Sequence, residues 1–177
     1  MADLISTHAP CRLATRTPSP FQTLASSIIS QQLSAQAART IKSRIHHLLP
    51  EFTPSAFCQA SFDHLRSAGL SRAKSRYIME LANRAADGRL DFDALIAQPD
   101  EQVITTLTQL PGVGRWTADM FLIFALRRPD VLALDDAGLQ RATKLLYGTR
   151  ATLKSIARKW RPYCSVASWY LWRHLDS

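Results

Sequence analysis

Apolar residues along this chain recur at intervals of three and four, and no alternating run is long enough to argue for a strand. Phe21, Leu24, Ala25, Ile28 and Ile29 share one face of a helix predicted over Phe21–Ser30. The stretch before it, Thr15–Pro20 with Pro18 and Pro20, reads as a loop. Ser34 has the character of an N-cap, opening a helix through Ala38, Ile41, Ile45 and Leu48 that ends before Pro50. Shorter helices are predicted over Ser55–Ala60 and Phe62–Ala68, the second broken at Gly69. Ser71 then opens a long helix through Ile78 and Leu81 to Ala86, stopped by Asp87-Gly88. After a short piece at Phe92–Ala97, Pro99-Asp100-Glu101 begins a helix with acids in its first turn, which suits the helix dipole. That helix stops at Pro111-Gly112, and the next is predicted from Gly114 to Leu126. An apolar run, Val131–Leu134, leads to Asp135-Asp136, followed by helices over Ala137–Tyr147 and Ser165–Leu175. The prediction is an all-α fold.

Composition narrows the class. With 177 residues, 46% of them hydrophobic and 20% charged, the chain has enough apolar side chain for a core in one globular domain or two lobes. Lys and Arg outnumber Asp and Glu by 22 to 14, a net charge of +8. That balance suits a polyanionic partner, although a merely basic surface would have it too. From Ala137 onward the bases are Arg141, Lys144, Arg150, Lys154, Arg158, Lys159, Arg161 and Arg173, against Asp176 alone, so the aspartate pair adjoins a basic segment. Cys11, Cys58 and Cys164 are too far apart for a C-x-x-C pair or a metal spacing, which fits a reducing cytoplasm. Adjacent His46 and His47 point to different helix faces and make no metal pair. No window has the apolar length of a secretory leader or a membrane span.

The candidate chemistry lies in Leu110-Pro111-Gly112-Val113-Gly114-Arg115-Trp116-Thr117-Ala118 and in Asp135-Asp136. Two glycines two residues apart permit positive φ and close backbone approach, so N–H groups beside a helix N-terminus can meet a phosphate. An ordinary helix–helix turn uses glycine in the same way. An Asp before a helix is usually an N-cap, but a pair is one more than capping needs. The spare carboxylate would sit near helix N–H groups, able to stabilise a developing cation or orient a water. Trp116 opens a helix beside the hairpin, where it can either pack in the core or stack on an unpaired base. Trp160 and Trp169 read as core, and Trp169 and Trp172 share a helix face. With no Ser–His–Asp set, Walker loop or cysteine cluster, such a site would need a bond that breaks readily. The glycosidic bond to a cationic base is one.

From Phe21 to Trp172 these segments resemble the helix–hairpin–helix, Gly/Pro-rich-loop, aspartate superfamily of DNA glycosylases, and within it the 3-methyladenine DNA glycosylase II (alkylbase) branch. The resemblance implies one glycosylase domain over residues 1–177, made of two helical lobes with a cleft between them. It places Asp136 at the catalytic aspartate and Trp116 where bifunctional members such as endonuclease III carry a Schiff-base lysine, implying a monofunctional enzyme. Trp116 and Trp172 become walls of the base pocket, and Met120 stands where some relatives have a pocket tyrosine. Ile28–Ser34 resembles the loop that enters the minor groove, with Gln32 at the wedge position. Pro111, Gly112, Val113, Gly114 and Arg115 form the DNA-gripping hairpin. Main-chain oxygens of Thr108, Leu110 and Val113 would hold a monovalent cation, Na or K.

No cofactor is required by this resemblance. The four-cysteine motif of the iron–sulfur branches is missing, since only Cys164 lies in that region, and no cluster is expected. The implied partner is double-stranded DNA containing damaged bases, with no membrane, and the chain is expected to act as a cytoplasmic monomer, nucleoid-associated if bacterial. The implied activity is excision of alkylated purines, 3-methyladenine and then 7-methylguanine. The alternatives are a glycosylase for another lesion, such as uracil or hypoxanthine, and a non-catalytic helix–hairpin–helix DNA-binding module.

Overall fold

The computed structural model describes residues 1–15 and 19–176, and every regular element among them is a helix. In order these are α1 (Ala2–Thr7), α2 (Pro20–Ser30), α3 (Ala35–Leu48), α4 (Pro54–Gln59), α5 (Phe62–Ser67), α6 (Arg72–Ala86), α7 (Phe92–Ile96), α8 (Asp100–Thr108), α9 (Arg115–Phe124), α10 (Ala137–Tyr147), α11 (Leu153–Ala157) and α12 (Cys164–Asp176).

Short polar side chains start most of them. The hydroxyls of Ser34, Thr53, Ser61, Ser71 and Thr152 each accept a first-turn amide, as do the carboxylates of Asp91 and Asp136. Each such cap contributes about 1 kcal/mol by satisfying an otherwise orphaned donor. Prolines do complementary work at first positions, where the missing N–H costs nothing: Pro20 opens α2 and Pro54 opens α4.

The expected elements are present, with shifted ends. Pro20 is helical rather than part of the preceding loop, whose residues 16–18 lie outside the described set. Pro99 is the cap of α8 and not its first turn. Helix α9 starts at Arg115 and ends at Phe124, shorter than expected at both ends. Helices α1 and α11 were not expected. At six and five residues they are too short to show a periodic face.

The chain divides into two units of dense internal packing. One comprises Pro18–Phe121. Here α6 packs against α2 and α4, and α3 lies against α2. Phe21, Phe52 and Phe57 form an aromatic cluster, with ring centroids 5.5 Å apart for Phe21–Phe57 and 4.9 Å for Phe52–Phe57. The other comprises Met1–Thr17 with Leu122–Ser177, where α12 packs on α10 and α1. Trp160 is buried there, as a core tryptophan should be. Trp169 is only half-buried, edge-on to Tyr170 and beneath the Arg173 guanidinium.

Candidate functional site

In the Pro18–Phe121 unit, α8 runs out at Thr108 and the chain turns tightly into α9. The Leu110 amide donates to the Leu107 carbonyl (3.0 Å), the Val113 amide to the Leu110 carbonyl (3.1 Å), and the Ala118 amide to the Gly114 carbonyl (3.1 Å). Gly114 thus begins the α9 ladder, whose first N–H groups point out of the helix. Pro111 and Gly114 are exposed and Val113 is buried. The two glycines, either of which could take positive φ, are not equivalent. Gly112 has φ +77°, and a Cβ there would overlap the Tyr77 ring of α6. Gly114 has no positive φ and open space around its Cβ position.

Between α2 and α3, the Leu33 amide returns to the Ser30 carbonyl (3.3 Å). Gln31 has φ −51° and ψ 133°, and Gln32 follows with φ +54°. This is the type II turn pattern, whose third residue is ordinarily glycine or asparagine. Gln32 occupies that position with its side chain exposed. Gln31 turns the other way: its Nε2 donates to the Gly112 carbonyl and to Thr117 Oγ1, both at 2.8 Å. Lys74 of α6 donates from Nζ to the carbonyls of Ile29 (2.8 Å) and Gln31 (2.6 Å).

The Leu122–Ser177 segment holds the carboxylate. Asp136 is 8% exposed and caps α10, Oδ1 accepting the Leu139 amide at 2.7 Å. The same oxygen accepts Trp172 Nε1 at 3.0 Å. Trp172 in turn packs on Phe124, ring centroids 5.5 Å apart. Gly138 lies beneath this pair, and a Cβ there would come within 3.1 Å of Asp136 Oδ1 and 3.4 Å of Trp172 Cδ1. A carboxylate oriented by two N–H groups at a helix N-terminus is suited to facing a developing positive charge.

Capping and chemistry were expected to need two aspartates. Instead Asp136 caps the helix from inside, while Asp135 is exposed on the turn before it. Trp116 and Met120 stand one turn apart on α9, half-buried and buried. Arg115 is exposed but engaged, pairing with Asp119 (3.1 Å) and Glu101 (3.2 Å), so a phosphate would compete with two carboxylates for it. Sequence reading missed Gln31, Lys74, Tyr77 and Gly138. Gln31 lay inside the segment singled out for Gln32. Nothing local marks Lys74 or Tyr77, whose partners are 35 or more residues away.

Residues 25–162 match the family profile of the HhH-GPD superfamily base excision DNA repair protein. The crystal structure of DNA-3-methyladenine glycosidase from Bacillus halodurans is 37% identical, covering 96% of this chain and 86% of that one with a TM-score of 0.72. The 3-methyladenine DNA glycosylase of Schizosaccharomyces pombe, solved with abasic DNA, is 25% identical over 99% of this chain and 91% of its own, TM-score 0.81. A Bacillus subtilis protein provisionally named a DNA-3-methyladenine glycosylase is 30% identical over 84% of this chain. The chain spans only 56% of that relative's length.

Proposed function

The chain belongs to the HhH-GPD superfamily of base excision DNA repair proteins, and from that membership we propose that it is a monofunctional DNA glycosylase acting on alkylated purines. Its substrate is 3-methyladenine in double-stranded DNA, with 7-methylguanine next. The names of the relatives support the alkylated substrate. The observation that carries the chemistry is Asp136, buried and held through one oxygen by the Leu139 amide and the Trp172 indole.

Alkylation leaves the base cationic, so its bond to C1′ breaks with the electron pair departing on a base that becomes neutral. Positive charge develops on the sugar, and the fixed Asp136 carboxylate opposes it electrostatically. Water then adds at C1′ and gives up a proton to that carboxylate, leaving an abasic site. Trp116, which stands where a lyase would have its lysine, offers a stacking face with Met120 beside it, and an electron-poor base favours such a face. Trp172 contributes the hydrogen bond that holds Asp136.

The Pro111–Gly114 hairpin grips the backbone through main-chain amides at the α9 N-terminus. Thr108, Leu110 and Val113 carbonyls fit a Na or K ion in this role: they are hard oxygen donors, and among backbone amides of the described residues only Val113 N–H bonds to any of them outside the helices. Such an ion would add positive charge to the phosphate grip. Gln32 fills the space left by the flipped nucleotide, whose extrusion costs a few kcal/mol, least at a damaged pair. The protein would work as a monomer wherever the genome lies, in the cytoplasm and on the nucleoid if its source is bacterial. No helix among the described residues is long and apolar enough to cross a membrane.

The test is release of free 3-methyladenine from methylated duplex DNA by wild type and by Asp136→Asn. Release by the wild type alone, with both binding DNA, supports the reading. A folded, DNA-binding wild type that releases no alkylated base would refute it and turn attention to uracil- and hypoxanthine-containing duplexes, or to a pure binding role.

A further inference from the structure

The type II turn at Ser30–Leu33 is built against its own preference. Its third residue needs positive φ, yet Gln32 carries a full side chain there, at φ +54°, exposed. A non-glycine residue in the left-handed region is sterically disfavoured and persists only when its surroundings over-determine it. Two clamps do so here. Lys74 closes one side, its ammonium bridging the carbonyls of Ile29 and Gln31 at the end of α2, where a cation also complements the helix dipole. Gln31 closes the other, its amide joining the turn to the Gly112 carbonyl and the Thr117 hydroxyl. Tyr77 lies one turn beyond Lys74 on α6, and its ring lies directly beneath Gly112. One face of α6 thus supports both the turn and the hairpin.

We propose that Lys74 and Gln31 are positioning residues that lock the Gln32 turn and the Pro111–Gly114 hairpin at a fixed spacing, so that gripping the DNA backbone and filling the vacated stack occur as one event. The proposal rests on the glycosylase reading for the roles of the two loops. Its mechanical content is independent of base release: a flexible turn would dissipate insertion into backbone freedom, whereas a clamped one presents the side chain to the stack with its backbone already ordered.

The experiment uses a duplex with an abasic site flanked by 2-aminopurine, whose fluorescence reports unstacking beside the gap. Wild type, Lys74→Met and Gln31→Leu are compared at saturating protein, with Lys74→Arg as the conservative variant and thermal melting as the check on folding. The expected result is a fluorescence change on wild-type binding that falls by about half or more in Lys74→Met and Gln31→Leu and is recovered in Lys74→Arg. Should Lys74→Met fail to fold, Gln31→Leu decides alone. A full wild-type signal from saturated, folded variants overturns the proposal, as does the absence of any signal from wild type. Base release from methylated duplex, measured in parallel, bears only on the glycosylase reading. Insertion without release would sink that reading and leave the clamp standing.

Discussion

Trp172 Nε1 and the Leu139 amide converge on the same oxygen of Asp136, at 3.0 and 2.7 Å. Capping α10 and presenting a carboxylate are therefore one arrangement, in which the second donor sets the orientation that a cap alone leaves loose. Removing that donor while keeping an aromatic ring isolates it. Trp172→Phe is expected to slow base release about tenfold, the scale of one charge-assisted hydrogen bond, with DNA affinity within about twofold. Single-turnover release at saturating enzyme measures it. An undiminished rate would show that the Trp172 bond does not set the orientation of Asp136.

Gly138 tests the same pair by crowding. Alanine is the better helix former by about 1 kcal/mol, so Gly138→Ala should not lower the melting temperature appreciably. Its Cβ, at 3.1 Å from Asp136 Oδ1 and 3.4 Å from Trp172, must push the carboxylate by a few tenths of an ångström. Release is expected to fall several-fold, about fivefold, in a protein as stable as wild type. Equal activity and stability would show that the pair has slack.

The hairpin glycines separate folding from DNA contact. Gly112→Ala places a Cβ into the Tyr77 ring at φ +77° and should destabilise the protein by about 2 kcal/mol or more. Gly114→Ala meets open space and should leave the melting temperature unchanged. If phosphate approaches the backbone at Gly114, the same variant weakens DNA binding about tenfold, readable by fluorescence anisotropy at fixed salt. Unchanged affinity would move the grip elsewhere on the loop.

Asp130 governs an acid-sensitive joint. Burial raises its pKa, but bonds from Cys164 and the Arg161 guanidinium outweigh this and bring it below the ordinary 3.8. Its stabilising contribution is therefore complete above the unfolded-state value and is lost as pH falls through the lower folded value. The neighbouring Cys164 thiol, buried beside that carboxylate, is pushed up to about 12 and stays protonated throughout. Asp130→Asn should flatten the acid limb of the stability curve below about pH 4, followed by urea titration at stepped pH. An unaltered acid limb would show that the pair contributes nothing to folding.

Local chemistry was enough to read the helices and their starts. Ser34, Ser71 and Asp136 announce α3, α6 and α10 because a capping side chain acts within three residues of itself, and apolar spacing marks which face is buried. The Pro-Gly-Val-Gly hairpin and Asp136 were legible for the same reason. The orientation of the groups within those elements was not. How Asp136 is held, which hairpin glycine is indispensable, and what steadies the exposed Gln32 depend on Trp172, Tyr77, Lys74 and Gln31, which lie 35 to 86 residues from their partners. By itself the sequence determined where the chain becomes helical and which residue types could carry the reaction. Only tertiary packing decided how those groups are aimed, because a hydrogen bond across such a separation exists only once the intervening helices have packed.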